Sequence, residues 1–532
     1  MTTDQAPYGT SWWARHDAHR PASPAPSGGA DSDSARSADP ERGGPGDGPG
    51  SGVPRTENQE LHGSSYDVVV AGAGIVGATT AQLLARRGLS VLLLDAGVVG
   101  TGVSGQATVK VTVGDGLRLR QIARSAGEAG AGQYADAVRT GLLNVAEHAV
   151  TFDCGAVFAP HDLWTTTPDG VAELRQLAGL AQRLGLDARE VHDASLPFPV
   201  AATVRYDDQL LLDPVRYLRA LVAAAAALGA HVHEFTTVHA VTEGEPNLVR
   251  TSAGDVAARH VVIATHIPVL DRGLTFARVQ QRRHYALAGH SEIAVGAGYD
   301  VSHGWSTRPD VDDDGRRVVI AVGPGHATGH GNGTAQQHRL RVWAERNFDV
   351  DVTHQWSTQD AFTPDGPPLV GPLHPFCDTV LMATGFGAWG WAAGAAAAEE
   401  LCRRIVGEQR RWPVLDSRRS VLRRAPLATA RLNVDAAVSL VVDAARLFTR
   451  RGTALSPGQG EVRRDGMVPV AVCRDREGVE HRLDARCTHL RCLVRWNDAE
   501  ESWDCPCHGS RFAPDGTVRH GPAHRPLRPL DG

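Results

Sequence analysis

The most specific chemistry in the chain sits near its C-terminal end: Cys487-Thr-His489, then 15 residues, then Cys505-Pro-Cys507-His508. Two loops each present one thiolate and one imidazole, at Cys-x-His and Cys-x-x-His spacing. That ligand set suits a [2Fe–2S] cluster with two cysteines on one iron and two histidines on the other. A zinc ion takes the same ligand types, though usually at other spacings. In the cluster reading, Cys487 and Cys505 hold the first iron, and His489 and His508 the second. Neutral imidazoles replacing two thiolates raise the reduction potential. Cys154, Cys377, Cys402 and Cys473 stand alone, whereas Cys487, Cys492, Cys505 and Cys507 fall within 21 residues. Disulfide-stapled secreted proteins spread their cysteines through a short chain. The clustering here implies one local site in a cytoplasmic protein.

A second constellation lies near the other end. Gly72-Ala-Gly74-Ile-Val-Gly77 follows a β-branched run, Tyr66–Ala71, and precedes a helical pattern from Ala78 to Arg87 closed by Gly88. A second strand, Ser90–Leu94, ends in Asp95, 23 residues after Gly72. Strand, glycine turn, helix, strand and acid form a dinucleotide-binding unit. Gly72 makes the turn, Gly74 admits a pyrophosphate to the backbone, and Gly77 lets helix and strand approach. The helix N-terminus offers N–H groups to phosphates, and Asp95 accepts ribose hydroxyls. The motif leaves FAD and NAD both open.

Three further segments resemble D-amino-acid-oxidase-like and glycine-oxidase-like flavoproteins, over residues 66–410. The stretch Gly100-Thr-Gly-Val-Ser104-Gly-Gln-Ala-Thr108-Val-Lys110-Val-Thr112 matches the segment where small and hydroxyl residues line pyrophosphate and flavin. Val261-Val-Ile-Ala-Thr265-His266 matches the strand that returns to the nucleotide. Val380-Leu-Met-Ala-Thr384-Gly385-Phe-Gly387-Ala388-Trp389-Gly390 matches a strand entering a glycine-rich helix start. Such a helix start stabilises the anion of reduced flavin. The resemblance implies FAD, held by Gly72, Gly74, Gly77, Asp95, Ser104, Thr108, Thr265, Gly385, Gly387 and Gly390.

The same resemblance bears on substrate. Relatives that oxidise amino acids grip the carboxylate with arginines. Here Trp356-Ser-Thr-Gln359-Asp360 puts an acid where one arginine is expected, and Ala388 stands in place of the other. An acid at Asp360 repels a carboxylate and favours an amine or alcohol; as a solvated or structural acid it would do neither. His284, Tyr285, Arg308, His326 and His330 are candidates for the lining of that site or for ordinary polar surface. No catalytic base is assigned, because orienting a C–H bond against the flavin is sufficient.

The C-terminal segment has the short strands and turns of an all-β domain: Met467–Cys473, a turn at Asp475–Gly478, then Glu480–Leu483. It resembles the Rieske family beyond the ligands, at Trp496-Asn497, Trp503-Asp504, Gly509-Ser510-Arg511-Phe512, Asp515-Gly516 and Gly521-Pro522-Ala523. The resemblance implies a disulfide between Cys492 and Cys507, clamping the two ligand loops. Arg491 departs from the glycine usual at its position and adds positive charge near the cluster.

These sites need scaffolds, and 532 residues suffice for several domains. The expected fold is an α/β FAD-binding Rossmann-type domain with an inserted α+β substrate domain, plus a small all-β Rieske domain. Residues 1–65, rich in Gly, Pro and Ser, read as disordered, with Trp12–Trp13 either a docking element or chance. The FAD domain takes 66–150, 236–270 and 361–410. The substrate domain takes 151–235 and 271–360. A linker arm at 411–453, containing a helix over Ala436–Leu447, leads to the Rieske domain at 454–532. A net charge of −6 without a basic block argues against nucleic acid. No apolar run is long enough to span a membrane.

The whole resembles fused bacterial flavin–Rieske oxidoreductases. The implied activity is a dehydrogenase: a small-molecule substrate gives a hydride to FAD, and single electrons pass through the cluster to an external acceptor protein. The reverse electron flow, from a donor protein, fits the same parts. A redox sensor or scaffold without turnover is the alternative. An oxygenase would need a mononuclear iron domain, and the flavin motifs occupy that part of the chain.

Overall fold

A computed structural model describes residues 11–16, 61–270, 272–446, 454–466 and 468–530. The run Ser65–Ala71 is the middle one of five parallel strands in a mixed sheet. Its neighbours are Val91–Leu94 on one side and Gly254–Ile263 on the other, with His231–His233 and Val380–Thr384 outside them. Strands buried on both faces read as continuous apolar runs, as residues 68–71, 91–94 and 261–263 do. The first helix, Ile75–Arg86, starts three residues earlier than the apolar period suggests, because its first turn is the glycine motif itself. It is buried almost all round, between helices Pro214–Ala227 and Gly390–Ile405.

The second sheet belongs to the inserted region. It joins Lys110–Val111, Val157–Thr165 and Ala202–Leu211 to a block of later strands, among them Gln280–His290 and Asp351–Phe362. The return to the nucleotide sheet begins earlier than the expected 236. Helix Pro214–Ala227 packs on the first helix, and His231–His233 pairs with Val91–Leu94. Asp213 caps that helix by accepting the Val215 and Arg216 N–H groups. Pro214 begins it at the position where a missing N–H costs nothing.

The arm contains a helix over Pro426–Arg446, longer at its N-terminal end than expected. The final domain is two small antiparallel sheets: Gln459–Asp465, Val468–Arg474 and Glu480–Asp484; then Arg495–Asn497, Ser502–Asp504, Arg511–Phe512 and Val518–His520.

Most of the stretch read as disordered, 1–10 and 17–60, lies outside the described residues. The expectation fails for the rest of it. Trp12–His16 is a short 3-10 helix, and both indoles are buried, at 3% and 1% exposure. They pack with Val215, Ala286, Ile320 and Trp356. Trp13 Nε1 donates to Ala107 O at 2.8 Å, and the Arg308 guanidinium lies 4.6 Å over its ring. The tryptophan pair is therefore a docking element.

Candidate cofactor cavity and cluster loops

Nucleotide motif, return strand and glycine-rich helix start open onto one cavity of about 1600 Å³. Gly72, Gly74, Asp95, Ser104, Thr108, Thr265, Gly387 and Gly390 line it. Gly77 and Gly385 do not; they let neighbouring segments approach. A Cβ on Gly77 would overlap the Gly72 carbonyl, and one on Gly385 (φ +85°) would come within 2.6 Å of the Thr363 methyl. Gly74 borders the cavity, where a Cβ would sit 2.9 Å from Ser104 Oγ. That hydroxyl accepts the Ile75 N–H, capping a helix whose own cap residue has no side chain. Asp95 accepts the N–H groups of Ala73 and Gly97 at 2.8 and 2.9 Å. Burial raises its carboxyl above the usual range despite those bonds. Bare backbone, a helix N-terminus and an acid at the strand end fit a dinucleotide.

The helix start Gly390–Ile405 is braced by a residue the motif reading missed. Arg118 donates to Phe386 O and Gly387 O, and lies 3.9 Å from Asp115. It is one of three arginines in the first two turns of helix Arg118–Ala149, and nothing in the sequence singles it out from Arg120 and Arg124.

Of the five polar candidates for the lining, only His284 faces this cavity. Arg308 is buried and spends its guanidinium on three backbone carbonyls, Thr108, Val109 and Leu212. Tyr285 stacks on His326 on the far side of the sheet, toward the C-terminal domain. His330 lies 3.2 Å from Pro506 O in the cluster loop. Strand alternation is the reason: His284 and Tyr285 are consecutive, so only one can point inward.

Asp360 does line the cavity, but its charge is already answered. His284 Nδ1 is 3.2 Å from Asp360 Oδ2, and the Ala388 N–H donates to the same carboxylate. Burial opposes ionisation, yet His284, His266 and the Ala388 N–H together hold the group below its usual range. The two positions where arginines were expected thus meet each other. The repulsion expected of a bare acid is removed. Cations come from elsewhere. Lys110 and Arg282 both line the cavity; Lys110 hydrogen-bonds Ser306 Oγ and lies 5.9 Å over the Trp389 ring, and Arg282 lies 5.7 Å over Phe362. Burial, with the Arg308 charge nearby, brings Lys110 down to about 7. Lys110 stood in the quoted motif without a role; a lysine inside a β-branched run was the available signal.

At the C-terminal domain, the ligand loops meet as expected. The His489 and His508 rings are 5.2 Å apart and nearly perpendicular. The Cys487 and Cys505 thiols hydrogen-bond each other, which pulls Cys487 below its usual value and holds Cys505 well above it. The Cys507 and His508 N–H groups aim at the Cys505 sulfur, and the His489 N–H and Ser510 hydroxyl at the Cys487 sulfur. Backbone donors around two adjacent sulfurs, with two imidazoles opposite, fit a mixed-ligand iron pair. Cys492 and Cys507 form a disulfide. Phe276, from the segment after the return strand, stacks edge-on to His508 at 4.7 Å.

The domain does not stand apart from the cavity. Arg519, His520 and Arg511 help to wall it. His520 meets His266, at the end of the return strand, with ring centroids 5.6 Å apart. Arg283 and Glu500 pair across the interface at 2% and 4% side-chain exposure, and Arg511 joins Glu500 and Asp504 behind them.

Comparison with known proteins agrees with both halves. The family described as FAD dependent oxidoreductase matches residues 67–404, and the Rieske [2Fe-2S] domain matches 450–531. The Bacillus subtilis protein YhfW, described as a Rieske 2Fe-2S iron-sulfur protein, is 30% identical over 479 residues, covering 87% of this chain and 93% of that one. Among solved structures, glycine oxidase from Geobacillus kaustophilus shares the fold at TM-score 0.57 and 18% identity, over 67% of this chain and 99% of its own. L-proline dehydrogenase from P. horikoshii does so at 0.55 and 16%, over 66% and 97%. No helix among the described residues is long and apolar enough to cross a membrane.

Proposed function

Since the chain belongs to the FAD dependent oxidoreductase family and ends in a Rieske [2Fe-2S] domain, we propose that it is a dehydrogenase in which a small amine carrying an anionic group reduces FAD and the cluster takes the electrons onward to an acceptor protein. The bound flavin supplies hydride acceptance followed by release of single electrons, and the cluster carries one electron at a time. The observation that carries the reading is the wall between the two sites. In the strand pair Gln280–His290 and Asp351–Phe362, Arg282, His284 and Asp360 line the cavity, while Gln281 and Gln359 touch the cluster loop.

Each group in the cavity has a task. Gly72, Gly74 and the N-terminus of helix Ile75–Arg86 would hold the pyrophosphate, and Asp95 the ribose. The N–H groups at Gly387–Gly390 would face the flavin edge where negative charge develops. Lys110 and Arg282 would bind the substrate's anionic group, and Trp389 and Tyr299 would flank its apolar part. Asp360, locked to Ala388 and His284, shapes the turn rather than selecting a cation. This reading departs from the charge argument for an amine or alcohol without a carboxylate. Glycine oxidase and L-proline dehydrogenase, which share the fold, are named for amino-acid chemistry. Cys487, Cys505, His489 and His508 would hold the cluster.

The test is an anaerobic screen of small amines, with and without a carboxylate, following flavin absorbance and the cluster's paramagnetic signal together. Bleaching of the flavin with growth of the reduced-cluster signal is expected. Flavin that bleaches while the cluster stays oxidised defeats the reading. A carboxylate ligand that perturbs the flavin spectrum should also bind less tightly as pH rises. Lys110 is charged below about 7 and neutral above it, so affinity should fall by roughly tenfold per pH unit above that point. Lys110→Met should flatten the profile.

A further inference from the structure

The strand wall has a single direct hydrogen bond to a cluster ligand loop among the described contacts, and it comes from Gln359. Gln359 is completely buried. Its Nε2 donates to Gly509 O at 2.8 Å, and Gly509 is the residue after the ligand His508. Its Oε1 accepts from Thr328 Oγ1 at 3.2 Å, and Gln281 Oε1 lies 3.3 Å from Nε2, so the amide has one orientation. Gly509 (φ +76°) brings its backbone directly onto the wall; a Cβ there would overlap the Gln281 side chain. The next residue in the chain is Asp360, whose side chain points the other way, into the cavity, and accepts the Ala388 N–H of the glycine-rich turn. A two-residue step in a strand therefore spans the wall. One side is bonded to the cluster loop and the other to the turn at the flavin site.

We propose that Gln359 is the positioning residue for electron transfer between the two cofactors, completing a bonded path His508–Gly509–Gln359–Asp360–Ala388. The proposal rests on the dehydrogenase reading above. Electronic coupling falls less steeply through covalent and hydrogen bonds than across a van der Waals gap. Each transfer would carry one electron from the reduced flavin to the oxidised cluster. Two such transfers, each discharged to one molecule of a one-electron acceptor protein, would remove the two electrons of one substrate hydride, and the hydride's proton would go to solvent.

The test uses the full holoprotein and no substrate. Photoexcited deazariboflavin with EDTA reduces the bound flavin in a flash, and absorbance follows the electron into the cluster. Gln359→Met and Gln359→Leu each remove the donor while keeping most of the side chain's bulk. Both should slow the transfer on the order of tenfold, as when a positioned contact becomes a gap. The cluster's midpoint potential and paramagnetic g-values should stay at wild-type values. Glu500→Gln weakens the interface ion pair without touching Gln359; it should lower the melting temperature and leave the rate unchanged. Wild-type rates in the Gln359 variants overturn the proposal, and so does equal slowing in Glu500→Gln, which would make docking in general the cause. Should the Gln359 variants not fold, Thr328→Val decides. It releases the amide that Thr328 holds, and an unslowed rate there overturns the proposal too. If the unmodified protein passes no electron from flavin to cluster, the dehydrogenase reading itself fails, before any variant is compared.

Discussion

The two redox sites are built on opposite plans. The proposed cluster ligands all lie in residues 487–508, two turns of one small domain tied by the Cys492–Cys507 disulfide. The flavin cavity is assembled from segments between Ser11 and Gly521, so its lining spans nearly the whole chain. A site of the first kind needs only local geometry to be correct. A site of the second kind exists only once both large sheets, the N-terminal helix and the C-terminal domain are docked. The comparison teaches that loss of one site need not touch the other, whereas loss of docking touches the cavity first.

The largest effects should come from reciprocal single changes. His508→Ala removes a proposed iron ligand, and iron and sulfide should fall to near zero while FAD content stays at the wild-type level. Gly77→Ala places a methyl group on the Gly72 carbonyl, and the flavin should be lost while the cluster signal persists. Metal analysis and visible absorbance check both. A variant that lost both cofactors would break the separation.

Next in size is the joint between them. Glu500→Ala leaves Arg283 and Arg511 buried without their shared carboxylate. Breaking a buried pair by removing one partner costs about 3–5 kcal/mol. Denaturant unfolding of the holoprotein should show that loss. The flavin's absorbance, which senses the cavity wall, should change before the cluster's does. Simultaneous change would mean that the cluster domain has no stability of its own.

The same contrast explains what was legible in the sequence. Cys487, His489, Cys505 and His508 could be read because their spacing is their geometry. The nucleotide glycines could be read because strand, turn and helix are contiguous. Arg308 and Tyr285 could not be placed, since which side of a strand faces a cavity depends on register with strands far away in the chain. Arg308 turned out to bind backbone carbonyls, and Tyr285 to face the other domain. Asp360 was correctly placed at the cavity, but its neutralising partners, His284 and the Ala388 N–H, lie 76 residues before and 28 after it. Charge read from one residue therefore carries little about ligand preference, because its partners come from distant parts of the chain. The tryptophans at 12 and 13 were ambiguous for the same reason: two indoles in a polar stretch carry no address.

Those tryptophans supply the smallest effect and the sharpest test of the cavity's non-local assembly. Trp13 holds its place by the Nε1–H bond to Ala107 O, by the Arg308 guanidinium over its ring, and by its buried apolar surface. Ala107 and Thr108 belong to the segment that lines the cavity, and Arg308 fastens that same segment through Thr108 O and Val109 O. Trp13→Phe keeps an aromatic face under Arg308 and most of the buried area, and it deletes one hydrogen bond. Its cost should be about 1 kcal/mol, a melting shift of a few degrees at most. The bound flavin should nonetheless dissociate measurably faster, because the carbonyl of Ala107 loses its donor at the edge of the cavity. Iron content should not change. A flavin off-rate equal to wild type would show that the N-terminal helix decorates the fold without taking part in the site, and the cavity would then be less distributed than its lining suggests.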